Sequence, residues 1–579
     1  MRGKWALFAL GWMLVLIGSL LAHSIQTSGG VRVTDVRFPA PKGVVMSGLL
    51  YMPPGVDASH LAPAVLASHG YINTREMQSP FAIELSRRGF VVLAMDMSGH
   101  GNSGGNVGAN GFGGPAALSY LQSLPGVDRA NIGLEGHSLG GAPVFLAALS
   151  QPTGYRAMVL EGSSPGLLGP GVAGSPTFPR NLALVFGQFD EFAALMWQQP
   201  KGSLISQSPA LRNMFGAGFP IAPGKIYGDP GYGTARVLYT PPVTHPWEHF
   251  SQAGVGHAVD WFQKNLAGAR SPKDPLDQIW IWKEVGTLIA FLGMVVLMLG
   301  TFQLLLTAPV FALLAKPAES VGLNRGPSWW LALGLTAVIP AASFLPFMTL
   351  GQVFLPNAIF PQWIHNQLLV WALLNAIITL GIGFVLRAGI PTFTTNWPRS
   401  IAIALTTVGM GYLSLVLADR LFQVDFRFWV LGLKPLDGAH ARIFAAYLVP
   451  WTIFFLVSLR TLAESLPVKG EGRLTQYFYA GLAMCGGFLV LLAAEYAWLF
   501  ATGVLLTPTQ PLNVIIAIQF IPLMAIIGLI GAFTYRRTNS HVPGALICAL
   551  LISWYISAGT AIHWSPDFKP VIPGSAPPK

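Results

Sequence analysis

Apolar positions along this chain follow two rhythms. Residues 5–22 form one unbroken apolar run behind a basic start, Met1-Arg-Gly-Lys4, and from about residue 284 long apolar runs return, near 285–313, 329–350, 367–387, 400–418, 443–459, 476–503, 513–534 and 543–562. A helix needs about 17 to 25 such residues to cross a bilayer core. The pattern therefore predicts an N-terminal transmembrane helix, a signal anchor, and about eight further spans. Residues 30–270 behave differently: short β-rich runs alternate with turn residues, charges of both signs return, and no apolar stretch reaches 18 residues. That is a soluble domain with enough chain for one large core. The expected division is 1–23, anchor; 24–275, soluble domain; 276–579, an all-α polytopic membrane domain.

Within the soluble region the apolar runs are strand-sized and separated by helical patterns. Ala64-Val-Leu-Ala-Ser-His69-Gly-Tyr71 and Phe90-Val-Val-Leu-Ala-Met-Asp96 read as short buried strands, with an amphipathic crossover helix from Ser79 to Gly89 between them. Strand, helix, strand, helix implies a mostly parallel sheet with helices on both faces and functional loops at the strand C-termini.

Composition supports the division. Hydrophobic residues make up 52% and charged residues 10% of the chain, against about a quarter charged in an ordinary soluble protein. The net charge of +10 is unevenly placed: residues 24–284 hold 17 Lys+Arg against 16 Asp+Glu, and the rest hold 17 against 8. The excess thus belongs to the membrane part and reads as topology, not as a nucleic-acid surface. With the N-terminus inside, inner segments carry eleven basic residues and outer segments beyond the soluble domain carry six, which puts the soluble domain on the extracytoplasmic side of a multi-pass cell-membrane protein. Residues 419–442 dissent with four basic residues and are expected to form an interfacial helix. The two cysteines, Cys485 and Cys548, lie in apolar runs, so the soluble domain has neither a disulfide framework nor a thiolate metal site. No phosphate loop, dinucleotide fingerprint, metal-ligand spacing or repeat is present, and no cofactor or metal is expected.

The pattern G-x-S-x-G occurs three times, around Ser103, Ser138 and Ser164, and in a chain with 65 glycines such matches come cheaply. Only Gly136-His-Ser138-Leu-Gly140 has a buried strand running in, Asn131-Ile-Gly-Leu-Glu135, and a helix running out, Gly141-Ala-Pro-Val-Phe-Leu-Ala-Ala-Leu149. A nucleophile elbow needs both. Ser138 is the candidate nucleophile.

Together with His69-Gly70, the turn from Asp96 to Gly101 and a leading antiparallel hairpin across residues 33–53, these features make the region resemble the α/β-hydrolase family over about 240 residues. The resemblance implies an acid and a histidine beyond later strands. Leu182-Ala-Leu-Val-Phe-Gly-Gln-Phe-Asp190 matches the acid strand and gives Asp190, with Glu161 and Glu191 as alternatives. Residues 235–245 match the last strand and give His245 as base, with His249 as rival and His257 inside the following helix. It also implies an oxyanion hole from the backbone N–H groups of Leu139 and Tyr71. His69 reads as a second base or as a structural loop residue, and the glycines beside His100 point to a tight turn there.

Residues between Asp190 and the last strand, among them Met196, Trp197, Leu211, Met214, Phe215 and Phe219, suit either a lid or membrane-facing surface, or ordinary packing on the sheet. Glu495 sits inside a span, as a functional carboxylate or a protonated structural one. The expected activity is serine hydrolysis of an ester, thioester or amide. Partners would be a small-molecule, lipid or acylated substrate and membrane lipids, with no nucleic acid. A transporter or sensor with a hydrolase-like accessory domain, or an acyltransferase or peptidase using the same residues, are the alternatives.

Overall fold

The computed structural model describes residues 2–169, 172–218, 220–317, 324–385, 396–465, 467–468 and 470–566. The chain divides into two compact units. One holds residues 20–286 together with 496–511 and the described residues from Gly559; the other holds the chain up to Ser19, residues 287–495 and residues 512–558.

The first unit is built on eight strands: β1 (Arg32–Pro39), β2 (Val45–Met52), β3 (Ala62–Ser68), β4 (Val91–Met95), β5 (Val127–His137), β6 (Ala157–Glu161), β7 (Leu182–Val185) and β8 (Arg236–Tyr239). They lie in the order β1-β2-β4-β3-β5-β6-β7-β8. β2 runs antiparallel to both neighbours, and β4, β3, β5, β6, β7 and β8 are parallel. The leading hairpin pairs Arg32 with Met52 and Pro39 with Val45.

Every residue of β3, β4, β6 and β7 is buried, because helices cover both faces; this is why these strands read as continuous apolar strings without alternation. Helix Ser79–Ser86 packs with Gln252–Asn265, and Gly114–Ser123 with Gly141–Ser150. Parallel strands joined by right-handed crossovers put all their C-terminal ends at one edge, where loops collect.

Residues between Asp190 and β8 form short helices, Ala193–Trp197 and Pro209–Phe215. Trp197, Ile205, Leu211, Met214 and Phe215 are buried in the same core as Leu160, Leu184 and Leu238. Of the two sequence readings, packing on the sheet holds, and no lid or membrane-facing surface is made from these side chains. Phe219 lies outside the described residues.

Nine helices among the described residues are long and apolar enough to cross a membrane: Trp5–Gln26, Trp280–Leu305, Pro327–Gly351, Trp363–Phe384, Trp397–Phe422, Gly438–Glu464, Arg473–Thr502, Pro511–Thr538 and Val542–Gly559. The second begins before its apolar run, and its first turns carry Lys283 and Glu284, both buried and bonded to each other at 3.1 Å. The third bends at Pro340 and Ser343. There Trp371 Nε1 donates to the Pro340 carbonyl (2.8 Å) and Asn375 Nδ2 to Ser343 Oγ (2.9 Å), so the next helix satisfies polar groups at the bend. Glu495 is buried in the Arg473–Thr502 helix.

The interfacial helix expected in residues 419–442 is absent. The preceding helix runs on to Phe422, and a two-stranded hairpin, β9 (Phe426–Phe428) and β10 (Leu431–Leu433), leads to the next helix at Gly438. Phe426 and Leu433 face each other, and the buried Arg427 is held by Asp425 at 2.6 Å. Apolar and charged side chains alternate with period two here, which a strand accommodates and a helix does not.

Candidate active site

Ser138 follows β5 directly and precedes the Gly141–Ser150 helix, with φ of 54°. A non-glycine residue in the left-handed region is strained, and this turn is what lifts a hydroxyl off the end of a buried strand. The flanking glycines are required by close backbone approach. A β-carbon at Gly136 would stand 2.3 Å from the Gly140 carbonyl oxygen, and one at Gly140 would stand 2.2 Å from that of Ser68. The other two pattern matches differ. Ser103 Oγ is absorbed in a loop, donating to the Asp96 carbonyl (2.8 Å) and accepting from the Ser47 N–H (2.9 Å). Ser164 is buried next to a 3₁₀ turn, with no partner for its hydroxyl among the described residues.

His245 begins the turn after β8, and its Nδ1 stands 2.8 Å from Asp190 Oδ2. Asp190 Oδ1 accepts from the Phe192 N–H at 2.6 Å, which fixes the carboxylate. Of the three candidate acids, Asp190 is therefore the one on the ring. Glu191 instead accepts the His245 backbone N–H through Oε2 (2.7 Å) and the Tyr496 hydroxyl through Oε1 (2.9 Å). Glu161 is buried at the end of β6, and neither oxygen is hydrogen-bonded among the described residues. His249 packs on His137, ring centroids 4.4 Å apart, and His257 stacks on Tyr239 at 4.0 Å.

Two neighbouring residues that the sequence reading passed over lie one against the serine and one against the histidine. At the end of β6, Ser163 Oγ donates to the Ser138 carbonyl (2.6 Å). Its neighbour Gly162, at φ 49°, lies so close under the imidazole that a β-carbon there would stand 2.8 Å from His245 Nδ1. His137 Nε2, one residue before the serine, donates to the His245 carbonyl at 3.2 Å. Neither Ser138 Oγ nor His245 Nε2 has a hydrogen-bond partner among the described residues.

The His69-Gly70-Tyr71 loop passes beside the elbow, a β-carbon at Gly70 falling 3.2 Å from Ser138 Cβ. His69 shapes the loop by bonding the Gly70 carbonyl through Nδ1 (2.7 Å) and accepting the Met97 N–H through Nε2 (3.1 Å). His100 Nε2 meets the Tyr71 carbonyl at 2.7 Å. Leu139 is half-buried at the start of the turn, and Tyr71 is buried.

The electrostatics follow from burial. Glu161 and Glu248 have their carboxyls pushed well up, mainly by burial and further by acidic neighbours, Glu135 for the first and Asp190 for the second. Glu135 is raised by burial although Gln78 Nε2 donates to both its oxygens. Burial, with His249 and His245 close by, pushes His137 well below the ordinary histidine value. Burial also works against a charged His245, but Asp190, with a contribution from Glu191, outweighs it and the ring is raised. Burial and the Asp190 charge lift Glu191 to about 7.

Donor atoms of His137, His245 and Glu248 lie within 4.8 Å of one another, a grouping a metal ion would accept and one that sequence spacing does not reveal. Both imidazole nitrogens already face nearer partners, Asp190 for His245 Nδ1 and the His245 carbonyl for His137 Nε2.

Residues 63–213 match the family model described as the alpha/beta hydrolase fold. No curated protein matches the chain. Among solved structures, the complex of DcsB with a substrate analogue is 24% identical over 22% of this chain and 44% of its own, with a TM-score of 0.20; the chain thus spans less than half of that protein. Dienelactone hydrolase from Anabaena variabilis is 18% identical over 41% of this chain and 99% of its own, with a TM-score of 0.30. An esterase from Pyrococcus furiosus is 19% identical over 41% and 94%, also with a TM-score of 0.30. The sheet order, the parallel strands with flanking helices and the family match define an α/β-hydrolase domain, joined in one chain to a helical region whose long apolar helices are consistent with a multi-pass membrane protein.

Proposed function

We propose that the protein is a membrane-embedded serine hydrolase that cleaves an ester, thioester or amide through a Ser138 acyl-enzyme. The observation that carries this reading is the strained φ of Ser138 at a strand-to-helix turn, together with a His245–Asp190 pair after the later strands. His245 Nε2 takes the Ser138 proton as Oγ attacks the carbonyl carbon. Asp190 holds the Nδ1–H tautomer and stabilises the imidazolium. Negative charge on the carbonyl oxygen is met by the N–H groups of Leu139 and Tyr71. His245 then gives its proton to the leaving group, and water, activated by the same ring, releases the acyl group and restores the serine.

The domain is assigned to the extracytoplasmic side on the basic-residue bias of the loops. Anchoring on both sides of the domain favours a lipid or lipidated substrate near the bilayer, with membrane lipids as the surrounding partner. No cofactor enters the scheme. A p-nitrophenyl ester chain-length series on the purified full chain tests it. Turnover that Ser138→Ala abolishes, with preference for long acyl chains, is expected; absence of turnover at every length would favour a binding or accessory role for the domain.

A further inference from the structure

The hydrolase fold is complete in sequence by about residue 266, yet two much later segments belong to its compact unit, residues 496–511 and 559–566. If the nine apolar helices among the described residues alternate across a bilayer, residues 503–510 and 560–566 fall on the same side as residues 27–279, so connectivity allows them to reach it. The last segment pairs with the loop after β4: the Ile562 N–H donates to the Gly99 carbonyl (2.8 Å), the Val107 N–H to the Ile562 carbonyl (2.9 Å), and Asn106 Nδ2 to the His563 carbonyl (3.0 Å). These bonds deliver the fully buried His563 to the Tyr71 hydroxyl.

We propose that His563 is a positioning residue for the catalytic site: it fixes the Tyr71 side chain and so aims the Tyr71 backbone N–H at the oxyanion. The inference rests on the Ser138 acyl-enzyme reading. His563 Nδ1 meets the Ala561 carbonyl at 3.1 Å, so the ring's proton sits there and Nε2 accepts from the Tyr71 hydroxyl. Burial, with His100 nearby, drives the His563 ring down to about 3, which keeps it neutral and Nε2 free to accept at any working pH. Tyr71 is then held at two points, its hydroxyl by His563 and its carbonyl by His100, with the N–H assigned to the oxyanion between them. An oxyanion donor acts only in the transition state, so its misalignment lowers kcat and spares KM. The stretch beyond the last apolar helix is on this account part of the active site, and the soluble domain alone lacks it.

The test is a cycle on the full-length protein with p-nitrophenyl esters. His563→Phe and Tyr71→Phe each lower kcat about 10-fold with KM within about twofold, and the double variant is no slower than the slower single one, because both remove the same bond. His563→Gln, which offers an acceptor oxygen in place of Nε2, recovers part of kcat. Wild-type kcat in Tyr71→Phe would overturn the proposal even if His563→Phe fails to fold, and so would independent, multiplying losses in a folded double variant. Failure of the underlying reading looks different: wild-type protein would then show no turnover at all.

Discussion

Asp190 Oδ2 stands 2.8 Å from His245 Nδ1, whereas Glu161, at the end of the neighbouring strand β6, has no hydrogen bond on either oxygen among the described residues. Geometry thus separates the carboxylate proposed to orient the base from Glu161, one of its two rivals in the sequence reading. Asp190→Asn presents an N–H to Nδ1, favours the wrong tautomer and is expected to reduce kcat by about 10³- to 10⁴-fold. Glu161→Gln is expected to leave kcat within about threefold, since a carboxyl kept neutral by burial loses no charge on becoming an amide. Comparable losses in the two variants would contradict the assignment.

The second prediction concerns pH. His245 acts as a base only when neutral, and its raised pKa means that kcat/KM falls as pH drops through a value above the ordinary histidine figure of about 6.5. Glu191 gains its own charge near 7 and, once charged, holds the ring protonated to higher pH. Glu191→Gln removes that charge, so the acid limb moves to lower pH. The other groups against the ring are Glu248, held toward its neutral form by burial, and His137, kept from protonation by burial. Glu248→Gln is therefore expected to leave the limb in place. Profiles of kcat/KM for the three proteins decide it; an unmoved or upward-shifted limb in Glu191→Gln counts against this electrostatic account.

A third prediction follows from the space beneath the imidazole. A β-carbon at Gly162 would meet Glu248 Oε2 at 1.9 Å and His245 Nδ1 at 2.8 Å, on a backbone with φ of 49°. Gly162→Ala is expected to cost about 1–3 kcal/mol of stability and to displace the ring. Thermal unfolding reads the first effect and kcat the second. A variant with unchanged kcat would show that the ring is not held from below.

Tyr496 carries the fourth. Its hydroxyl donates to Glu191, whose other oxygen holds the His245 backbone N–H. Tyr496→Phe is expected to lower kcat about two- to fivefold, in line with the roughly 1 kcal/mol net worth of one hydrogen bond, with little change in KM. Steady-state kinetics distinguish this from a packing defect, because Phe keeps the ring. A larger loss in KM than in kcat would contradict it.

How much of this was legible in the sequence depended on range. The turn at Ser138 announces itself locally, because a buried strand, two glycines spaced about a serine and an apolar helix are contiguous. Asp190 and His245 follow apolar strand strings, so their places at the sheet's C-terminal edge are readable too. Ser163 was hidden inside a pattern match that looked like a false copy of the elbow. The Tyr71–His563 bond joins positions 492 apart, and no local periodicity reports such a pairing. The hairpin in residues 419–442 was missed for a different reason. Its two-residue turn puts Trp429 at φ 52°, a conformation that sequence reading expects of glycine or asparagine.

The central claim is a covalent intermediate on one serine. Intact-mass and peptide analysis of the full-length protein after treatment with a fluorophosphonate tests it most directly. The account predicts a single adduct on the peptide carrying Ser138, none on Ser103 or Ser164, and loss of labelling in Ser138→Ala. An unlabelled wild-type protein, or an adduct that survives the Ser138→Ala substitution, would contradict it.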